Sequence, residues 1–447
     1  MSSLPAGHID FLSTLPPIAE DGGPVWLAEA RRRAKARAEA GGLPTRRHEN
    51  WRFSDLKVLK EKKFSLDPTM SASFAGTAGD VATSVPVLAE TDRLVFVDGL
   101  FSAEASLVGA LPEGVFLGRF ADWVKTGEAA ALLDDPRSGV DATLRALNTA
   151  YFTDGFALVV PDGLRLDRPV QVIYLVTHSA SRPKAIALKG VIRLGDGARA
   201  TVLETHAGFA PPATAEGSWI NSALDIVLGA GAELGHYQVQ NQDRSSLHTG
   251  DLAVEIGAGA LYDGFTLALG AAQSRQDVRA RLAGSRGFCG VSGAYLLDGQ
   301  QEGTIATTIR HEAPECSTKE VFKGCLGDRA HGVFLGRIEV ARAAQKTDAH
   351  QLNKTILLGD RAVMDAKPEL EIFADDVKCA HGATVGDLDE EALFYLRSRG
   401  IDTETARGML IEAFVIDAVD LVRHEGARAY LKHAIGERLK VQKAGVA

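Results

Sequence analysis

The sequence has few aromatic residues, few cysteines and no basic excess, and each shortage excludes a class of protein. Aromatic residues make up 6% of the 447 residues, so the core must consist mainly of aliphatic side chains. Four cysteines in a chain of this length do not form a disulfide framework and suit a reducing compartment. Acidic residues outnumber basic ones by 58 to 49, which argues against nucleic acid as the main partner, because binding phosphates requires basic charge.

Targeting segments and nucleotide-binding loops are also missing from the sequence. The first twenty residues include Asp10 and Glu20 but no lysine or arginine, so they do not resemble a secretory signal. No apolar run reaches the roughly 18 residues of a membrane span. The chain has no G-x-x-x-x-G-K-[ST] loop for ATP and no G-x-S-x-G nucleophile motif. We therefore expect a soluble cytoplasmic protein that does not hydrolyse ATP by itself.

Glycine, by contrast, is abundant, with 46 residues, and it recurs in similar turn-like segments along the middle of the chain. The turns at 195–198, 229–232 and 257–260 share a Gly-x-Gly-Ala pattern, and 284–287 is a looser copy. A Leu-Gly-Asp-Arg-Ala segment at 326–330 returns at 358–362. The first glycines of these turns are separated by 34, 28, 27, 43 and 32 residues. Such spacing is typical of stacked supersecondary units.

An extended run follows many of these turns, without a long helix between them. These runs are 199–205, 233–239, 261–269 and 333–340. Strand, glycine turn and strand at a period near thirty predict a β-solenoid, whose narrow interior suits aliphatic side chains. A β-sandwich remains the alternative, because it also has irregularly spaced glycine turns.

Helical patterns flank this middle region. Pro24 can begin a helix over about 24–40, which Gly41 and Gly42 would end. The segment 65–90 is rich in small residues and predicts a linker. Further helices are expected at 120–133, 141–150, 390–399, from about 403, and at 427–441. The sequence thus predicts a mainly β protein with three parts: a helical N-terminal region with a linker (1–150), a β-solenoid core (151–385) and a helical C-terminal domain (386–447).

The first candidate site is Cys379-Ala380-His381. If this segment is a strand, the thiol and the imidazole lie on the same side, because side chains alternate. Both groups bind iron, zinc or copper. A closed tetrahedral site needs four ligands, and the other cysteines show no C-x-x-C spacing. This pattern indicates a half-site that a partner chain completes; the alternative is a buried cysteine beside a hydrogen-bonded histidine.

Three other features have both a functional and a structural interpretation. The polar run 345–354 could form a network at a binding face, or it could be the exposed side of an edge strand and its turn. Asp375 and Asp376 are adjacent, so as strand residues they would face opposite sides and not converge as a catalytic pair. His206 and His236 lie on expected strands, where histidine is more often a hydrogen-bonded wall residue than a ligand.

Taken together, these segments resemble the SufB/SufD family of the SUF iron–sulfur cluster assembly system, and its SufD branch in particular. The resemblance is sharpest over 367–372, 374–386 and 393–401, which include the Cys-x-His-Gly-Ala-Thr-Val-Gly run from Cys379. The segment 345–351 resembles a pattern that SufB and SufD share. Near the start, 49–56 resembles the N-terminal signature of SufD, including Trp51.

The resemblance implies a right-handed parallel β-helix core with helical ends. It implies a non-catalytic scaffold subunit that pairs with SufB through the β-helix ends, binds the SufC ATPase through its C-terminal helices, and carries a nascent iron–sulfur cluster. His381 matches the cluster-related histidine of the family, and Cys379 matches the cysteine two residues before it. A flavin is associated with some such complexes, and a homodimer is possible in isolation.

Two rival interpretations remain at this stage. The chain could be the SufB paralogue or a homodimeric hybrid of the two, although the Cys-x-His run and the Trp51 segment favour SufD. It could also be a β-helix polysaccharide lyase or hydrolase, but such an enzyme needs a groove of acidic or basic residues and is usually secreted.

Overall fold

The structure, a computed structural model, describes residues 23–133, 135, 137–177, 183–208 and 217–444, with further gaps at 57, 60–61, 63, 65–80 and 82–84. The first twenty residues and most of the expected linker at 65–90 lie outside the described residues. The helices are α1 Val25–Gly41, α2 Phe120–Trp123, α3 Ala130–Leu133, α4 Thr143–Tyr151, α5 Glu390–Ser398, α6 Thr403–Val419 and α7 Glu425–Ala444.

The strands are β1 Asp92–Val97, β2 Leu100–Phe101, β3 Phe116–Arg119, β4 Phe156–Val160, β5 Val170–Val176, β6 Ala185–Leu194, β7 Arg199–Gly208, β8 Trp219–Leu228, β9 Glu233–Asn241, β10 Leu247–Ile256, β11 Leu261–Ala268, β12 Gln273–Leu282, β13 Phe288–Leu297, β14 Glu302–His311, β15 Ser317–Leu326, β16 His331–Val340, β17 Asp348–Leu357, β18 Val363–Ile372 and β19 Lys378–Gly386. From β4 onward, successive strands belong to alternate sheets.

The core is a β-solenoid of about seven turns, which confirms the predicted fold class. The odd-numbered strands from β5 to β19 stack in one sheet and the even-numbered strands from β4 to β18 in the other. Each strand pairs in parallel with the strand two positions along the chain, as β10 does with β8 and β12. The sandwich alternative is wrong, because sandwich sheets are built from antiparallel pairs.

The glycine turns lie on two different edges of this solenoid. The turns at 195–198, 229–232, 257–260 and 284–287 follow even-numbered strands, whereas those at 327 and 359 follow odd-numbered strands. The 43-residue separation between Gly284 and Gly327 therefore reflects a move of the glycine turn from one edge of the solenoid to the other, and not a longer coil. Gly197, Gly231 and Gly259 have φ values of +68°, +66° and +65°, and this left-handed conformation explains why glycine recurs there.

Stacked aliphatic side chains fill the interior and fix the register of the strands. One such column is formed by the last residue of successive even-numbered strands, and five of its six members are aliphatic: Leu194, Leu228, Ile256, Leu282 and Val340, with His311 between the last two. All six are buried. A shift of one residue would move a whole strand's inward side chains to the surface. Burying each aliphatic side chain contributes roughly 1.5–3 kcal/mol, so these columns select a single register.

The N-terminal region contributes strands as well as helices. β1 pairs in parallel with β5, and β3 pairs with β4, so both sheets extend into the segment predicted as helical. All six residues of β1 are buried. The predicted helix α1 is confirmed: it ends at Gly41, and Gly42 follows with φ +70°. The helical description of residues 1–150 was thus incomplete.

Side chains on the outer face of the even-numbered sheet hold the N-terminal region in place. The indole Nε1 of Trp51 donates a 2.7 Å hydrogen bond to Asp141, and the guanidinium of Arg275 lies 3.7 Å above the indole ring. Arg145 of α4 is buried and forms ion pairs with Asp225 and Asp251 on the sheet below. These contacts fasten the N-terminal helices to the solenoid.

The C-terminal helices cover the outer face of the odd-numbered sheet. Val415 and Val419 of α6 and Leu431 of α7 belong to an apolar cluster with outward-facing side chains of β7 to β15. Asp389 and Asp402 cap α5 and α6 by accepting hydrogen bonds from backbone amides. Within the described residues, no helix is long and apolar enough to cross a membrane.

Candidate ligand site at the open end of the solenoid

The candidate site lies where the solenoid ends. β18 and β19 are the terminal strands of the two sheets, and among the described strands β19 pairs only with β17. Side chains that would be buried in an earlier coil are therefore exposed in this last one. Val385, for example, is 47% exposed, whereas Thr355, its register partner on β17, is 3% exposed.

Cys379 and His381 lie on β19 and share one side of the strand, as predicted. Their register partners on β17 are Ala349 and Gln351, which are both buried, so this side faces the interior of the solenoid. Cys379 is half-buried and packs against the solenoid core. Burial raises the pKa of its thiol, although the backbone amide of Ala349 partly offsets this effect. His381 is exposed. A metal that bound here would have to displace the thiol proton.

The other three cysteines lie inside the protein. Cys289, Cys316 and Cys325 are buried, and burial raises the pKa of the Cys325 thiol to about 12. Burial also raises the pKa of Cys289. Within the part of the chain that the structure describes, no group of three or more His, Cys, Asp or Glu side chains could hold a metal ion. Cys379 and His381 therefore offer two donors that face an open end.

The structure contradicts one of the two interpretations of the polar run at 345–354. The run is not on an edge strand, because β19 pairs with the β17 part of it. Gln351 and Asn353 face the interior and are buried. Asp348 and His350 face outward, where the imidazole lies 2.9 Å from the carboxylate. Half of the run is thus a polar lining of the last coils. Asp375 and Asp376 lie beyond it, exposed at a bend.

Glu320 is a buried carboxylate next to this lining, and it was not predicted from the sequence as a site residue. Its Oε1 accepts a 2.5 Å hydrogen bond from the Thr307 hydroxyl, and its Oε2 accepts a 2.8 Å bond from the side-chain amide of Gln351. Burial raises the pKa of Glu320 to about 7, although both hydrogen bonds lower it. Glu320, Gln351 and His381 are register neighbours on β15, β17 and β19. The only signal in the sequence is the alternation of inward and outward side chains, which places Glu320 inward between Thr318 and Phe322.

This buried carboxylate predicts a pH-dependent stability. The pKa of Glu320 in the folded protein, about 7, lies above its ordinary value of 4.5, so the folded state binds more protons between these two values. We therefore expect stability from this group to fall as the pH rises through that window. The free energy of unfolding of the wild type minus that of Glu320→Gln should fall between pH 5 and 7, with a steepest slope of about 1.4 kcal/mol per pH unit near pH 6. Urea denaturation at pH 5, 6, 7 and 8 measures the difference, and a pH-independent difference would contradict the assignment.

His206 and His236 are wall residues of the interior, as predicted. The His236 ring lies 2.7 Å from Glu204 and 3.0 Å from the Tyr262 hydroxyl. His206 stacks on Tyr174 with ring centroids 4.7 Å apart. Burial holds the pKa of His206 well below its usual range. Both rings are separated from the open end by several coils.

Comparisons with known proteins agree with this architecture. The family model described as "SUF system FeS cluster assembly, SufBD core domain" matches residues 176–414, and the model described as "SufBD protein N-terminal region" matches residues 13–172. The iron–sulfur cluster assembly protein SufD of Escherichia coli is 29% identical over 408 residues, which cover 89% of this chain and 90% of that protein.

Two further relatives match over a similar length. An iron–sulfur cluster assembly SufBD family protein of Synechocystis is 28% identical, over 89% of this chain and 87% of its own length. SufD of Bacillus subtilis is 25% identical, over 93% of this chain and 95% of its own length. Since the two family models together span most of the sequence, and the solenoid coils and the Cys-x-His strand lie within them, the chain belongs to the SufBD family and has a role in SUF iron–sulfur cluster assembly.

Proposed function

We propose that this chain is a non-catalytic scaffold subunit that carries a nascent iron–sulfur cluster at the open end of its solenoid. The observation that supports this is the pair Cys379 and His381, two metal donors on the inward side of the terminal strand. Thiolate and imidazole are both ligands of iron in clusters. The cluster is the cargo of the assembly, and the second chain supplies its remaining ligands.

The open end also provides the surface for that second chain. β19 is the last strand of its sheet, and its outer edge can continue the ladder with another solenoid. Apolar side chains surround this edge: Val363, Ile372, Phe373 and Val385 are between 40% and 66% exposed. A paralogue of the SufB type, with the same coil geometry and thiolate ligands, fits this end. A second copy of this chain would offer only a second Cys-x-His pair.

The C-terminal helices offer a separate surface for an ATPase of the SufC type. Phe394 and Tyr395 of α5 are 72% and 57% exposed, and Met409 of α6 is 45% exposed. Large apolar side chains grouped on a surface are typical of protein interfaces. Movement of a bound ATPase would act on α6, which packs against β13 and β15, and so on the strands near the ligand site. In the cytoplasmic complex the second chain would cover this open end, and closure of two ATPase subunits would strain it and expose Cys379 and His381 to iron and sulfide.

Replacing His381 tests the proposal. In a complex purified by affinity from the native cell, we expect His381→Ala to leave the partner subunits bound but to lower the content of iron and acid-labile sulfide several-fold, because one cluster ligand is lost. Metal analysis, sulfide assay and subunit quantification give these values. His350→Ala is the matched control, since His350 lies on the neighbouring strand but faces outward. A complex with His381→Ala and unchanged iron and sulfide would refute the ligand role.

A further inference from the structure

We infer that Gln351 is a positioning residue for His381: its side-chain oxygen accepts a hydrogen bond from the imidazole and leaves the other ring nitrogen free to bind a ligand. This inference rests on the proposed ligand role of His381. It is supported by the orientation of the Gln351 amide, which three neighbouring residues, Glu320, Thr307 and Gly336, determine. None of these neighbours lies at the open end.

Glu320 determines which end of the amide faces inward. An ionised carboxylate only accepts hydrogen bonds, so when Glu320 is ionised the NH2 group of Gln351 must point toward it, as the 2.8 Å contact shows. The Thr307 hydroxyl occupies the other carboxylate oxygen and holds Glu320 in place. The Gln351 oxygen must therefore point away from Glu320.

The interior leaves little room for the amide to turn. Across the solenoid from Gln351, β16 carries Gly336, and a β-carbon at this position would lie 2.2 Å from Gln351 Nε2 and 2.8 Å from its Oε1. Glycine at 336 thus makes space for the amide, which reaches across the interior. Since Gln351 is 2% exposed, its amide is confined between the carboxylate and the β16 backbone.

The confined amide still lacks one hydrogen bond. Gln351 Oε1 is buried and has no hydrogen-bond partner in the structure. Buried polar atoms almost always have a partner, so an acceptor without one marks a place where a donor belongs. The next inward-facing side chain in register is that of His381, and adjacent strands lie about 4.8 Å apart. A rotation of the His381 side chain toward the interior would bring a ring N–H toward this oxygen.

This hydrogen bond would prepare His381 as a ligand. A neutral imidazole has one N–H and one lone pair, and the partner of the N–H decides which nitrogen keeps the lone pair. An oxygen acceptor behind a metal-binding histidine commonly fixes this choice and the orientation of the ring. Gln351 would play this part, with Glu320 behind it as the group that holds the amide.

Nitrogen NMR of the full-length chain without added iron tests the inference. With 15N-labelled histidine at pH 8, His381 is identified as the signal that disappears in His381→Ala. We expect the wild type to show one dominant tautomer for His381 and a ring N–H proton protected from exchange. In Gln351→Met, which has a similar length but no acceptor oxygen, both features should vanish, so that His381 shows a mixture of tautomers and a rapidly exchanging ring proton. Identical spectra for wild type and Gln351→Met would overturn the inference.

A second measurement on the wild type covers the case in which Gln351→Met does not fold. The protected ring proton must be observed in the unmodified chain, and its absence there would by itself overturn the positioning role. Iron content separates this failure from failure of the proposed function. If His381→Ala lowers the iron content but the wild type shows no protected ring proton, the ligand role of His381 stands and the positioning role of Gln351 is refuted. If the wild type shows a protected ring proton but His381→Ala has unchanged iron, the hydrogen bond to Gln351 stands and the ligand role of His381 is refuted.

Discussion

Replacing Arg145 by methionine is expected to lower the free energy of unfolding by about 3–5 kcal/mol, because it removes the buried cation that two buried carboxylates share. Arg145 is 4% exposed and lies between α4 and the even-numbered sheet. It forms ion pairs with Asp225 and, at 2.6 Å, with Asp251. Methionine fills a similar volume, so the loss would come from the charge and its hydrogen bonds and not from a cavity.

The neighbouring cations compensate only in part for the loss of Arg145. Burial works to raise the pKa of Asp251, but Arg279 and Arg145 together hold it well below its usual range. Lys189, which is fully buried, lies 2.8 Å from Asp225. Burial and the nearby charge of Arg145 lower the pKa of Lys189. Without Arg145, Asp225 would have only this one buried cation close to it.

Urea denaturation measures the expected loss, and Arg193→Met is the matched control. Arg193 lies on the same sheet but pairs at the surface with Glu128, 3.3 Å away, and both side chains are about half exposed. Exposed pairs of this kind contribute up to about 1 kcal/mol. Equal losses for the two variants would show that the buried charge of Arg145 has no special importance for the attachment of the N-terminal helices.

Gly155→Ala should have a comparably large effect, at about 4 kcal/mol, through a backbone collision and a strained conformation. A β-carbon at position 155 would lie 1.8 Å from the carbonyl oxygen of Lys189, and the φ of Gly155 is +153°. The contacted atom belongs to the backbone of β6, which cannot move without breaking its pairing with β4 and β8. Relief of the collision would thus disturb the first coil of the core.

The control for this substitution is Gly197→Ala. Gly197 has a φ of +68°, but no atom lies within 4 Å of the position of a β-carbon. Only the left-handed backbone is penalised there, by about 1–2 kcal/mol. Thermal or urea unfolding of both variants gives the comparison. A loss for Gly155→Ala no greater than for Gly197→Ala would mean that the first coil adapts to the extra methyl group.

The sequence predicted the solenoid because its signals are local and repeat in every coil. Left-handed glycines at 197, 231 and 259 mark one edge, and the alternation of side chains marks each strand. The strands of the N-terminal region were missed because their partners are distant along the chain. Asp92 of β1, for example, is in register with Val170 of β5. A run of four apolar residues, as in β1, without a neighbouring repeat gives no sign of such a pairing.

The same distinction between local signals and distant partners applies to the candidate site. Cys379 and His381 are two residues apart on one strand, so strand periodicity alone places them on one side. Glu320 is 61 positions before His381, and only the stacking of coils brings it into the same column. Its partner Thr307 belongs to the opposite sheet. A charged residue at an inward position contradicts the apolar pattern, and its meaning depends on neighbours from other coils.

The number of stacked coils also sets the length of the solenoid. From β5 to β19 the odd-numbered sheet takes seven steps of about 4.8 Å, so the coil count sets a distance of roughly 34 Å between the first coil and the ligand site. Deleting one complete coil would keep every side chain on its own side of the sheet but would move β19 one step closer to the N-terminal helices. The number of coils therefore fixes how far apart partners bound at the two ends of the molecule are held.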